Sequence, residues 1–259
     1  MWQTEQIQLT LDMAEGILHE SYHVETPLGK IFDLEMQSFA SMTRNEFYVC
    51  RYTIKNANFP EPITVSHPLD QRFSVNQTED PRVANKEHQL LKEEQGDYAI
   101  WTAPHSQKKL AIRVIGGEGQ IQSGESLTTI FQLRLQEAKG APFYQEAVDF
   151  ETFVAEQRQS YQQFWATSDI QITGDQELQK GIRFNLFHLN QGAGRDGRTN
   201  FAAKGLTGEG YEGHYFWDTE MYLLPFFTYT NPDTAKALLT YRANILPQAQ
   251  KRAQELSQE

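Results

Sequence analysis

One change of hydrophobic period constrains this chain more than any other feature. Up to about Leu135, apolar residues recur at every second position. Ile7, Leu9, Leu11 and Met13 form one such run, Leu110, Ile112 and Val114 another, and Leu127, Phe131, Leu133 and Leu135 a third, with Thr129 in step. Period two places successive side chains on opposite faces of a strand. Turn residues punctuate the runs at Pro27-Leu28-Gly29, Pro60-Glu61-Pro62, Gly116-Gly117 and Ser123-Gly124-Glu125. Many short strands at this spacing predict an antiparallel β-sandwich. Between about Phe143 and Trp165 the period becomes helical, with Phe150, Phe153, Val154, Gln157, Tyr161, Phe164 and Trp165 on one side. The chain is therefore read as mixed, β first and then α.

Further helices come next. After a short extended piece at Asp169–Ile172, Asp175 reads as the N-cap of a helix with the stripe Leu178, Ile182, Leu186 and Leu189. A glycine-rich loop ends it. A third helix is expected from near Gly213 or His214, and Pro225 should kink or end it within a turn. Asn231-Pro232-Asp233 combines a cap, a proline at the first position and an acid in the first turn, so another helix starts there. Its stripe is Ala235, Leu238, Leu239, Arg242 and Ile245, running until Pro247. The expected division is residues 1–142 as an N-terminal β-sandwich domain lacking its start, 143–173 as a helical linker, and 174–259 as the beginning of a helical domain. Amphipathic helices must bury their stripes. Three or four of them are too few to close on themselves, so the chain is expected to be incomplete or completed by another chain.

A chain of 259 residues, 39% apolar and 22% charged, has the composition of a soluble globular protein. Its net charge of −11 is spread without long runs, which argues against a nucleic-acid surface. No apolar stretch approaches the ~20 residues of a membrane helix, and no signal peptide is visible, so a cytoplasmic location is expected. The single cysteine, Cys50, lies in the strand-like FYVCRYTI and reads as a small core residue. His188 comes after an apolar stripe and reads as a core residue too. The other histidines are scattered without metal-ligand spacing, so no metal site is expected. Gly116-Gly117-Glu118-Gly119 lacks the lysine–serine end of a phosphate loop and reads as a hairpin turn.

The chemistry points to residues 201–231. Seven of the 17 glycines fall between Gly192 and Gly213, and eight aromatics lie between Tyr211 and Tyr229. Flexible backbone allows close approach to a ligand. An aromatic face beside a carboxylate, here Trp217 next to Asp218, suits a sugar: the C–H face stacks and the hydroxyls donate to the charge. The segments KGLTGEGY, GHYFWDTE and PFFTYTNP closely resemble the first part of the catalytic domain of glycoside hydrolase family 65. GDQELQKGIRFNLFHLNQ and, more loosely, LDMAEGILHESYHV and RYTIKNANFPEPITV extend that resemblance over nearly the whole chain.

The resemblance implies a β-sandwich, a helical linker and the first helices of an (α/α)6 barrel. It implies inverting phosphorolysis of an α-glucosyl disaccharide such as maltose, trehalose, kojibiose or nigerose, with inorganic phosphate as co-substrate and no metal or organic cofactor. GLTGEGYEGHYFWDTE looks more like the kojibiose, nigerose and trehalose enzymes. Carried over residue by residue, Trp217 and Asp218 would line the subsite for the nonreducing glucosyl unit. Lys204, Glu209, Glu212 and His214 are expected to be solvated loop residues, and Glu220 to form a salt bridge or hydrogen bond within the fold. The family's general acid is a glutamate well over a hundred residues past FWDTE, and its phosphate site lies further on. This chain runs 41 residues beyond Asp218, so it is expected to carry no catalytic residue and to be inactive alone. Partners expected are the disaccharide, and either a second copy or a chain supplying the rest of the barrel. Rival readings are a family 65 α-glucoside hydrolase, a noncatalytic sugar-binding or assembly module, and a gene remnant.

Overall fold

The alternating residues of the first half pair into one large antiparallel sheet. The computed structural model describes residues 3–66, 74–75, 88–89, 91–95, 98–102, 109–136, 148–206, 211 and 214–256. Its strands are β1 (Gln3–Asp12), β2 (Ile17–Glu25), β3 (Ile31–Ala40), β4 (Phe47–Lys55), β5 (Ile63–Val65), β6 (Ser74–Val75), β7 (His88–Gln89), β8 (Leu91–Gln95), β9 (Tyr98–Thr102), β10 (Lys109–Gly116), β11 (Gly119–Ile121) and β12 (Ser126–Gln136). Eight of them form a sheet in the order β1-β2-β3-β4-β12-β10-β9-β8, every pair antiparallel. Two small sheets, β11-β5 and β6-β7, complete the set. The chain divides into two compact units, Met1–Tyr161 and Gln162–Glu259.

In the first unit the register explains two of the apolar cores. Directly paired residues share a face. One face carries Val24 opposite Phe32, Leu34 opposite Ile54, and Leu133 opposite Ile112. The small sheet brings Ile63, Val65 and Ile121 onto Val24, Phe32 and Ile54, so this face buries an apolar layer as a sandwich does. The opposite face carries Phe39 opposite Val49 and Val49 opposite Ile130. There Phe150, Phe153 and Val154 of α1 (Phe150–Ser168) close a second core. The stripe read from the helical period is the buried one: Phe150, Phe153, Val154, Gln157, Tyr161 and Phe164 are all buried, and Trp165 is half-buried. Cys50, in β4, is a buried free thiol whose burial pushes its pKa up.

Two local expectations need correcting. The alternation of β1 is interrupted by a register shift between Gln6 and Gln8, which leaves Ile7 as the extra residue of a bulge. Ile7 and Leu9 are each 60% exposed among the described residues, because β1 is the edge of the sheet. The turn at Gly116-Gly117 is real, with φ of +68° and +77°, but it closes no hairpin. β11 leaves the large sheet and pairs with β5, a partner more than fifty residues earlier in the chain. The linker helix begins at Phe150; the part of the expectation on residues 143–147 lies outside the described residues.

The second unit holds α2 (Gln176–Gly192), a π-helical turn (Thr219–Leu223), α3 (Leu224–Thr230) and α4 (Pro232–Leu256). Asp175 caps α2 as expected, its Oδ1 accepting from the Leu178 amide at 2.9 Å. Burial deepens toward the C-terminal end of α2, at Leu186, Phe187 and Asn190, while Leu178 stays exposed. Ala193, Phe227, Ala235 and Leu238 form the core of this unit, with Leu189, Phe201 and Leu223 packed on it. Pro225 does not end a helix. It sits in the first turn of α3, where its missing N–H costs no helical hydrogen bond. Pro247 does not end α4 either. The helix runs on to Leu256 through alanine, glutamine, lysine and arginine, all good helix formers. No helix among the described residues is long and apolar enough to cross a membrane.

Candidate functional site

The Trp217–Asp218 segment owes its shape to the turn immediately after it. The helix expected from near Gly213 or His214 does not run from His214; Gly213 lies outside the described residues. Residues 214–216 are irregular, Trp217 and Asp218 enter the helical turn, and a π-helical turn follows over Thr219–Leu223. The Leu224 amide donates to the Thr219 carbonyl, five residues back. The next residue is Pro225, which has no N–H to continue that ladder, so the chain resets to the α pattern of α3. Single π turns inside helices are frequent at functional sites. Here the wide turn lies directly after the aromatic–carboxylate pair, and the Met221 amide donates to the Trp217 carbonyl at 3.1 Å.

The structure brings Trp217 and Asp218 together at the surface. Trp217 is 77% exposed, and Asp218, also exposed, makes no capping hydrogen bond to the turn it opens. Around them stand other exposed aromatics. Tyr211 meets Phe216 edge to face at 5.4 Å between centroids, and Tyr222 is exposed on the π turn. Tyr215 meets Tyr241 of α4 at 5.2 Å.

Glu220 forms the internal salt bridge its position predicted. Its two oxygens accept from Nε and Nη2 of Arg242, each at 2.8 Å, and Oε1 also takes the Asn200 Nδ2 at 3.3 Å. Burial pushes the Glu220 carboxyl up, but the hydrogen bonds from Arg242 and Asn200 outweigh it and hold the group below the usual carboxylate range. Arg242 Nη2 donates in addition to the Phe216 carbonyl at 2.7 Å. Asn200 is buried, and its Oδ1 accepts from the Phe201 amide at 2.8 Å.

Lys204 is exposed, its Nζ 5.9 Å from the Tyr211 ring centroid, and His214 is exposed as well. Glu209 and Glu212 lie outside the described residues. His188 is half-buried, its ring packed against Phe184 and Phe187 with centroids at 4.3 and 5.5 Å. It lines a shallow cavity of about 380 Å³ with Leu189, Phe201 and Lys204. Among the described residues no group of three or more histidine, cysteine or carboxylate side chains could hold a metal ion. Sequence reasoning missed the roles of Arg242 and Asn200. The signal for Arg242 was present: it is the one charged residue in the stripe Ala235, Leu238, Leu239, Arg242, Ile245.

Two family models match the chain. The model described as "Glycosyl hydrolase family 65, N-terminal domain" covers residues 2–136. That described as "Glycosyl hydrolase family 65 central catalytic domain" covers 183–259. Alpha,alpha-trehalose phosphorylase of Thermoanaerobacter brockii is 36% identical over 95% of this chain and 37% of that protein. The enzyme of the same name from Geobacillus stearothermophilus is 33% identical over 97% of this chain and 38% of its own length. Kojibiose phosphorylase of Thermoanaerobacter brockii is 51% identical over a shorter stretch, 36% of this chain and 12% of that protein. The chain thus spans well under half the length of these relatives. A solved structure, "Putative kojibiose phosphorylase from human microbiome", superposes with a TM-score of 0.76 at 20% identity, over 98% of this chain and 38% of that one. That likeness concerns the fold, and it agrees with a β-sandwich followed by the start of a helical barrel.

Proposed function

The chain belongs to glycosyl hydrolase family 65, and on that premise we propose that it supplies one wall of the glucosyl subsite in an inverting phosphorylase of α-linked glucosyl disaccharides. In that reaction a phosphate oxygen attacks the anomeric carbon from the face opposite the glycosidic bond. The bond breaks as a carboxylic acid protonates the departing oxygen, giving β-glucose 1-phosphate and a free sugar. Inorganic phosphate is the co-substrate, and the chemistry calls for no metal or organic cofactor. No residue of this chain is assigned as the acid or to the phosphate.

What this chain contributes is binding. Trp217 offers an indole face for the C–H side of the glucosyl ring, and Asp218 accepts hydrogen bonds from its hydroxyls. The observation that carries the reading is that the two stand adjacent and exposed on a braced segment, while Asp218 is not consumed in capping the turn. α2, α3 and α4 begin the barrel of which this wall forms part. The experiment is a calorimetric titration of the purified chain with trehalose and with glucose. Asp218→Ala should abolish measurable binding and Trp217→Phe should weaken it about tenfold. Binding of the same strength in Asp218→Ala would refute the assignment.

A further inference from the structure

We propose that Arg242, held by Glu220, which Asn200 also engages, is the positioning group of the Trp217–Asp218 pair. Its guanidinium joins the Glu220 carboxylate to the Phe216 carbonyl and so fixes the backbone from which both side chains project. The inference rests on the reading of those two residues as sugar ligands. Exposed side chains take their direction from their backbone, and the residues on either side of the pair are tied down. On one side the Phe216 carbonyl takes Arg242 Nη2 at 2.7 Å. On the other, Thr219 is buried and Glu220 is gripped by Arg242 through both oxygens.

An ordinary surface ion pair would contribute little. This one differs in three ways. The Arg242 and Glu220 side chains retain only 27% and 16% of their exposure. The geometry is a planar fork on a carboxylate, which an ammonium cannot copy. The same guanidinium also serves a backbone carbonyl one residue before the pair. Asn200 ties the carboxylate to the glycine-rich loop, and Arg242 ties it to α4. The loop, α4 and the π turn therefore meet at the Glu220 carboxylate, and the guanidinium held there also binds the Phe216 carbonyl, whose peptide leads into the pair. Displacement of a ligand-holding group by about 1 Å can cost up to ~100-fold in effectiveness.

The test uses the whole chain labelled with 5-fluorotryptophan and read by fluorine NMR. The Trp217 resonance is assigned by its loss in Trp217→Phe, and Trp101 and Trp165 serve as internal references far in sequence from the clamp. Arg242→Met should shift or broaden the Trp217 resonance alone and weaken trehalose binding at least tenfold. Arg242→Lys should recover part of both, and Glu220→Gln should fall between them. An unmoved Trp217 resonance with parental affinity in Arg242→Met overturns the proposal. So does a change that affects the Trp101 and Trp165 resonances equally, which would mark a general loss of structure. If Arg242→Met does not fold, unchanged spectra and affinity in Arg242→Lys and Glu220→Gln overturn it. If Asp218→Ala binds as the parent does, or the parent binds nothing, the sugar-ligand reading fails, and the Trp217 resonance still decides the clamp.

Discussion

Gln157→Leu should be among the most damaging single substitutions in the first unit. Gln157 lies on the buried stripe of α1 and is 0% exposed. Its Oε1 accepts from the Met42 amide at 3.0 Å, and its Nε2 donates to the carbonyls of Gly16 at 3.1 Å and Ala40 at 3.4 Å. One side chain thus satisfies backbone groups at the β1–β2 turn, at the end of β3 and in the turn after β3. Leucine fills similar space but pairs with none of them. Leaving the buried Gly16 carbonyl unpaired costs about 1–3 kcal/mol, and losing each of the two part-buried bonds about 0.5–1.5 kcal/mol. The expected loss is about 2–6 kcal/mol, a large share of a domain's stability. Urea unfolding monitored by circular dichroism should show a midpoint lower by on the order of 1–3 M with an unchanged slope. Gln159→Leu, on the exposed side of the same helix, is the control and should move the midpoint little. If the two variants melt alike, the bridging role assigned to Gln157 is wrong.

Other predictions concern the remaining buried and charged groups. Gly16 has φ +70°, and a Cβ there would stand 1.9 Å from the Tyr161 ring, so Gly16→Ala should cost about 2–5 kcal/mol. Gly29 has φ +77° with open space around it, so Gly29→Ala should cost only about 1–2 kcal/mol of backbone strain; equal losses by thermal melting would refute the steric argument. Cys50 is buried, with its thiol pKa raised by that burial, so an aromatic disulfide reagent at pH 8 should label it only after denaturant is added. Rapid labelling of the native chain would contradict its placement. Glu220 and Asp169 are held below their ordinary pKa values in the fold, Asp169 by the hydrogen bonds of Arg183. Depressed carboxyls stabilise above the unfolded pKa and lose that contribution as pH falls through the folded one. The melting temperature should therefore hold from pH 7 to about 5 and fall below about 4, less steeply in Glu220→Gln; a parallel fall in that variant would exclude Glu220 as a contributor.

Much of the fold was legible because its signals are local. Period two marked the strands, the helical stripe from Phe150 to Phe164 marked α1, and Asp175 marked the start of α2. Each of these arises from chain geometry over a few residues. What was missed depends on closure. The bulge at Ile7 and the departure of β11 to pair with β5 are decided by how strands dock, which spacing does not encode. Pro225, expected to kink or end the helix, does mark a change there, but its form was not legible: a π turn gives way to α.

The candidate site divides the same way. Trp217 and Asp218 stand out in the sequence because an aromatic beside a carboxylate, after a glycine-rich loop, is a chemical pattern in adjacent residues. Local pattern also indicated that Glu220 would be engaged within the fold. It did not indicate with what. Arg242 lies 22 residues on and Asn200 20 residues back, and only packing of α4 and the loop against the π turn brings their polar groups to one carboxylate. The sequence by itself determined the order of β and α structure, the family, and the aromatic–carboxylate pair proposed for a sugar, since those reside in local period and motif. Tertiary structure alone decided which groups brace that pair, because a hydrogen bond between distant residues exists only once the chain between them has folded.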